Sequence, residues 1–189
     1  MGSNTKQLNG DVMKIFIATD LHGSAYWAQR VVDQFKNCNA DILVLLGDIY
    51  NHGPRNPFPQ EYAPMRVAEI LNEIADRLIV IKGNCDSEVD QMISNFTFLP
   101  HDVLFCGARK MFFTHGHVYN KDNLPCLSAG DVLFYGHFHK NEIVEIGGVI
   151  CVNVASCSLP KDVSSYCIAQ QDCISIFDFD GNEILRKDF

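Results

Sequence analysis

The residues of this chain that could do chemistry fall in one repeated place, just beyond short apolar runs. Asp20 and His22 follow IFIAT, Asp48 follows ILVLL across Gly47, and Asn84 follows LIVI across Lys82 and Gly83. His115 and His117 follow MFFT, His137 and His139 follow VLFY across Gly136, and Asn153 stands near the end of VICVNV. Aspartate, asparagine and histidine offer oxygen and imidazole donors to manganese, iron or zinc, without the thiolates of a structural zinc site. Two such ions side by side need a bridging carboxylate, and Asp48 can fill that role. A metal pair makes hydroxide from water near neutral pH and neutralises a phosphoryl group in an in-line displacement.

Taken singly, these motifs are weak. A D-x-H such as Asp20-Leu21-His22 is more often a capped loop, and a G-D such as Gly47-Asp48 often follows a strand. G-H-x-H at Gly136–His139 says more, because alternate residues of an extended segment point the same way. The weight comes from five apolar runs each delivering Asp, Asn or His at the same point.

The elements that must position these residues can be read from hydrophobic pattern. Ile15–Thr19, Ile42–Leu46 and Leu78–Ile81 are continuous apolar runs, suited to strands covered on both faces. Between them, Ala28, Val31, Val32 and Phe35 share one helical face, with Ser24 placed as its cap. Val67, Ile70, Leu71 and Ile74 repeat that pattern after Pro64, a residue suited to a first helical turn. This alternation predicts right-handed crossovers onto a mainly parallel sheet, whose ligand sites collect beyond the carboxyl ends of the strands. The second half reads as strands at 103–106, 111–114, 132–135, 142–146, 149–154 and 173–179, with turns at Gly147-Gly148 and Asp180-Gly181-Asn182. The sum is a layered α/β sandwich of two mixed sheets with helices outside. One domain over 13–189 is expected, after a polar leader or tag-like extension at 1–12 that lacks periodicity; Met13 could be an alternative start.

Bulk composition narrows the function. With 189 residues, 47% hydrophobic and 20% charged, the chain is long enough for a substantial core. A formal charge of −8 argues against a duplex nucleic-acid binder, which carries a basic stripe. An acidic chain can still act on phosphate esters when bound cations supply the positive charge. The start lacks the apolar core of a signal peptide and no run is long enough to span a membrane, so a cytoplasmic location is expected. The eight cysteines include no C-x-x-C pair and read mostly as reduced, buried, small hydrophobes.

In order along the chain, D-x-H, G-D, G-N-C-D, T-H-G-H and G-H-x-H resemble the motifs of the calcineurin-like metallophosphoesterases. The segments NHGPRN and GNCDSEVDQM narrow the resemblance to the small bacterial YfcE-type phosphodiesterases, and the likeness runs from Met13 to the C-terminus. It implies a four-layer αββα sandwich of two mixed β-sheets flanked by helices. It also implies two divalent ions, with manganese the usual one and iron, zinc or cobalt as alternatives. Asp20, His22, Asp48 and His139 would surround one ion, and Asp48, Asn84, His115 and His137 the other. The implied reaction is hydrolysis of a small phosphodiester by a metal-bridging hydroxide, with Asn84 helping to stabilise the developing charge. His117 would contact substrate or carry a proton, while His52 and Arg55 would overhang the site and Arg55 clasp a phosphate oxygen. Similar enzymes are often homo-oligomers, dimers or tetramers.

The chain departs from the family in three places. Asn153-Val154-Ala155-Ser156 stands where N-P-G-S is common, which argues against a substrate role for Ser156 and leaves Asn153 to hold a strand end. Phe138 replaces a frequent threonine, and it and Trp27 are read as packing residues. The leader has no counterpart. As in the YfcE-type subgroup, Cys85, after the ligand asparagine, stands where the wider superfamily often has histidine; with an ordinary thiol pKa near 8.5 it is a poor proton donor. Two rival readings keep the fold: a phosphomonoesterase or protein phosphatase on the same site, and a non-catalytic scaffold resembling the retromer subunit, whose metal site is eroded. Donors at every predicted ligand position favour an enzyme.

Overall fold

The computed structural model describes residues 13–189; the expected leader at 1–12 lies outside the described residues. The chain opens with β1 (Ile15–Ala18), α1 (Ala25–Asn37), β2 (Ile42–Leu45), α2 (Pro64–Asn72) and β3 (Leu78–Ile81). β1, β2 and β3 pair in parallel, as continuous apolar strands joined through helices should. A short edge strand, β4 (Phe98–Leu99), follows, then β5 (Asp102–Cys106), β6 (Arg109–Phe113), β7 (Val132–Tyr135), β8 (Glu142–Ile146) and β9 (Val149–Asn153). The chain ends in β10 (Ser165–Ala169), β11 (Cys173–Asp178) and β12 (Glu183–Asp188). These strands make a seven-stranded sheet, β12-β11-β10-β1-β2-β3-β4, and a five-stranded sheet, β5-β6-β7-β9-β8.

Side-chain alternation sorts the core into layers. Ile15, Ile17, Val44 and Leu46 from the large sheet meet Met111, Phe113, Val132, Phe134, Ile150 and Val152 from the small one. Phe16, Ala18, Leu43 and Leu45 point the other way, onto Val31, Phe35, Val67 and Leu71 of the two helices. Burying each such aliphatic side chain contributes ~1.5–3 kcal/mol, so the inter-sheet layer fixes the two sheets against each other. The Ser24 hydroxyl caps α1 by accepting from Trp27 N at 3.2 Å, and Trp27 packs edge-on against Phe179 at 5.1 Å between centroids.

The two mixed sheets and the helical layer on the large sheet match expectation. On the outer face of the small sheet the cover is different. Phe112, Leu133, Tyr135 and Cys151 are covered by Tyr119, Leu124 and Leu127 from the irregular segment between β6 and β7, not by a helix. That segment carries Asn120, Asp122, Asn123, Pro125 and Gly130 and has no helical period, so its apolar residues cover the sheet as anchors of a loop. No helix among the described residues is long and apolar enough to cross a membrane.

β1, β2 and β3 run parallel in one sheet, and β6, β7 and β9 do so in the other. The loops that leave their carboxyl ends gather the donor-bearing residues at one end of the sandwich.

Candidate metal centre and its cleft

Backbone conformation marks the site before any side chain is considered. Among the described residues, seven non-glycine positions have left-handed φ, and five of them are Asp20 (55°), His22 (49°), Asp48 (54°), His137 (66°) and His139 (57°). Non-glycine residues pay for this conformation, and such strain persists where the surroundings over-determine it. Here each residue follows a strand whose last three residues are buried, so the chain must turn sharply to present its side chain at the sheet end.

Asp20 is completely buried. Its Oδ2 accepts from Thr19 Oγ1 at 2.6 Å and from the His137 backbone N–H at 3.1 Å. Its Oδ1 has no hydrogen-bond partner, yet it lies 3.3 Å from His139 Nε2 and 3.5 Å from His22 Nε2. The two Nε2 atoms are themselves 3.4 Å apart. Asp48 stands beside this group: Oδ1 accepts from the Cys85 N–H at 2.8 Å, while Oδ2 lies 4.0 Å from His22 Nε2 and 3.5 Å from His115 Nε2. His115 Nε2 also faces Asn84 Oδ1 at 3.0 Å. Asp48 therefore stands between two donor groups, where a bridging carboxylate would be.

Three imidazoles are oriented from behind by backbone carbonyls. His22 Nδ1 meets Asn51 O at 2.8 Å, His115 Nδ1 meets Leu46 O at 2.7 Å and His139 Nδ1 meets Leu159 O at 2.6 Å. A carbonyl can only accept, so each Nδ1 carries the proton and, in the neutral ring, each Nε2 presents a lone pair to the centre. Burial disfavours a charged His115, but the Asp48 and Asp20 carboxylates outweigh it and raise its pKa to about 9. Asp20 is moved the other way: against burial, His139 and His22 hold its carboxyl well below the usual range. An orphaned buried carboxylate oxygen facing two converging imidazole nitrogens fits a divalent cation, and the oxygen and nitrogen donors suit manganese, iron, cobalt or zinc.

His137 lies beside this group, its ring centroid 5.1 Å from that of His115. His117 is exposed, 5.3 Å from His115 and 6.3 Å from His137 between centroids. A cleft of about 760 Å³ opens over the centre, walled by His22, Asp48, Asn84, His137 and His139 and bordered by Arg55 and Phe138. Arg55 borders the cleft, whereas His52 does not line it. The His52 ring is held between Phe58 and Tyr62, at centroid distances of 4.4 and 5.3 Å. Ser156 is buried, donates to Asp20 O at 2.8 Å and accepts from Leu159 N at 2.9 Å, a bracing role. Asn153, with its amide oriented to suit its neighbours, donates to Gly136 O at 2.8 Å and Tyr135 O at 3.2 Å, and so fastens the end of β9 to the loop that carries His137.

Asp86 and Lys161 also stand at this centre and its cleft, and sequence reasoning passed over both. Asp86 Oδ2 accepts from Gly83 N at 2.7 Å and Asp48 N at 2.8 Å, and Oδ1 accepts from Ile49 N at 2.8 Å. One buried carboxylate thus ties the Asn84 loop to the Asp48 loop. Burial pushes its pKa up to about 6, which three backbone N–H groups moderate by favouring the anion. The signal was the last letter of G-N-C-D, read as part of a motif without a role. Lys161 lines the cleft; it comes from a loop without patterning, so nothing in the sequence pointed to it. The Cys85 thiol also borders the cleft, where burial and then the Asp48 carboxylate push its pKa up to about 12. It is a protonated thiol. All eight cysteines are free, four of them buried.

The calcineurin-like phosphoesterase superfamily domain matches residues 13–173. Phosphodiesterase YfcE of Escherichia coli is 41% identical over 179 residues, covering 93% of this chain and 97% of that protein. The structure of that E. coli phosphoesterase superposes with a TM-score of 0.90 at 40% identity, covering 93% and 99% of the two chains. The probable metallophosphoesterase YsnB of Bacillus subtilis is 27% identical over 185 residues, 91% of this chain and 95% of that one. A zinc complex of Vps29 from Entamoeba histolytica shares the fold, with a TM-score of 0.61 at 20% identity over 93% and 99% of the chains.

Proposed function

Because the chain belongs to the calcineurin-like phosphoesterase superfamily, we propose that it is a phosphodiesterase working with two divalent metal ions. The observation that carries this reading is Asp20 Oδ1, a buried carboxylate oxygen without a hydrogen-bond partner, set 3.3 and 3.5 Å from two imidazole nitrogens. Asp20, His22, Asp48 and His139 would hold one ion; Asp48, Asn84, His115 and His137 would hold the other. Manganese is the first expectation, with iron, zinc and cobalt as alternatives. When bound, such a pair supplies hydroxide near neutral pH and positive charge opposite the phosphoryl oxygens.

The protein's own part is positioning. The carbonyls of Asn51, Leu46 and Leu159 keep the three Nε2 lone pairs aimed inward. The Cys85 backbone N–H holds Asp48 Oδ1. Arg55 and Lys161 at the cleft wall attract the anionic ester and orient its oxygens. His117 is exposed beside the ligand histidines and can hold the substrate or take up a proton at an imidazole nitrogen. The Cys85 thiol offers little acid strength to a departing alcohol, so esters with good leaving groups should turn over fastest.

The test is manganese-dependent turnover of bis(p-nitrophenyl) phosphate against p-nitrophenyl phosphate, with Asp48→Asn alongside. The diester should turn over faster, and Asp48→Asn should lose more than about a hundredfold. Faster monoester turnover would make the protein a phosphomonoesterase. An Asp48→Asn protein with full activity would remove the bridge, and no metal binding or turnover would leave a scaffold of the same fold.

A further inference from the structure

A second pocket, of about 270 Å³, adjoins the metal cleft and shares Phe138 and Lys161 with it. At its lining lies Tyr135, only 1% exposed, whose hydroxyl has no hydrogen-bond partner. A buried hydroxyl in that condition costs stability unless something supplies an acceptor. The pocket's charge supplies a reason for that acceptor to be anionic. Among the described residues the lysine ion pairs are Lys110–Asp131, Lys121–Glu142 and Lys187–Glu145, which leaves Lys140 and Lys161 unpaired at this pocket. Lys121 neutralises Glu142, touching both carboxylate oxygens at 2.8 Å, and the remaining carboxylate of the lining, Asp122, is exposed, as are Lys140 and Lys161, which leaves the lining with one net positive charge.

We propose that this pocket is a subsite for a second phosphate carried by the substrate, so that the preferred phosphodiesters bear a further phosphoryl group on one alcohol component. The proposal rests on the phosphodiesterase reading. The scissile ester would lie over the metal ligands and the substrate would pass the Phe138 ring. Lys161, common to both pockets, would stand between the two phosphates. Lys140 and the Tyr135 hydroxyl would then donate to the second one. Phe138 and Tyr135 stand edge to face, 6.0 Å between centroids, and give the passage an aromatic wall suited to a sugar or base. A simple aryl diester fills only the first cleft.

The manganese-loaded protein is assayed with bis(p-nitrophenyl) phosphate and with the p-nitrophenyl ester of thymidine monophosphate, with and without a second phosphate on the sugar. The second phosphate should raise kcat/KM by about tenfold, the worth of a charge-assisted hydrogen bond. Lys140→Gln and Tyr135→Phe should each remove most of that gain and leave turnover of bis(p-nitrophenyl) phosphate as it was. Calorimetry with thymidine bisphosphate should show the same loss of affinity in both variants. Equal kcat/KM for the two thymidine esters, or a gain that survives both substitutions, would overturn the subsite while leaving the phosphodiesterase reading intact. Failure on all three diesters would overturn the underlying reading as well.

Discussion

Removing the Asp86 carboxylate tests whether one buried side chain holds the loops that carry Asp48 and Asn84 in register. Asp86 is 6% exposed and accepts three backbone N–H bonds, from Gly83, Asp48 and Ile49. In Asp86→Ala those donors remain in the interior without acceptors, each at a cost of about 1–3 kcal/mol. Even the lower figure per donor comes to about 3 kcal/mol, and a domain of this size loses roughly 2–4 °C in Tm per kcal/mol. The metal-free protein should therefore melt about 6–12 °C lower. Asp86→Asn keeps one oxygen for two of the donors but turns an amide N–H toward the third, so it should fall between the two. The loops carry Asp48 and Asn84, so manganese affinity should drop in parallel, by about tenfold or more. Differential scanning calorimetry with and without metal, together with manganese titration, reads both effects. If Asp86→Ala melts within about 2 °C of the wild type and binds manganese unchanged, the carboxylate is not the tie described.

Gly83→Ala would place a Cβ against Asp48 Oδ1 and N, so it should cost about 1–3 kcal/mol or more and show a similar loss of manganese affinity by titration. Cys85→Ser should keep activity within about threefold, because a thiol pushed up to about 12 donates no proton that the reaction needs; a collapse in turnover would refute this. Arg55→Ala should raise KM by up to about tenfold, with Tm unchanged, since the side chain is exposed at the cleft wall. Removing divalent ions with a chelator should lower Tm by an amount that depends on metal concentration, about 4 kcal/mol being at stake at a thousandfold excess over Kd.

The strands that build the site were legible because they are apolar throughout. Ile15–Ala18 and Val132–Tyr135 are buried at every position, and such a run has few alternatives to a central strand. Ser165–Ala169, missed in the sequence, is just as buried, but its SYCIA mixes serine and cysteine with only two large apolar residues, and it pairs antiparallel between β1 and β11. Its burial is a property of the sheet it completes. β12, with four charged residues in six, is an edge strand whose place is set by pairing with β11. The donor residues were legible by type and by position after strands. The turned-away His52 was not, because its contacts with Phe58 and Tyr62 depend on how a long loop folds back.

The same logic explains why the site tolerates strained backbone. Each left-handed aspartate or histidine costs about 1 kcal/mol or more, and five are gathered at one end of one sandwich. The side chains of Asp20, His22 and Asp48 are withdrawn from water, and the group is set close enough for like atoms to face each other, as His22 Nε2 and His139 Nε2 do at 3.4 Å. A fold holds such an arrangement only if the strands behind it cannot yield. Here Ala18, Leu45, Phe113 and Tyr135, the last residues of four of those strands, are at most 1% exposed. The neighbours that make room are specific too: a Cβ at Gly136 would strike Thr19 Oγ1 and Asp20 Oδ2, and one at Gly83 would strike Asp48. Preorganisation of the donors is thus stored in the sheets. A divalent cation that satisfied Asp20 Oδ1 and the facing nitrogens would release part of that cost, and would couple metal affinity to the packing of the core rather than to the loops alone.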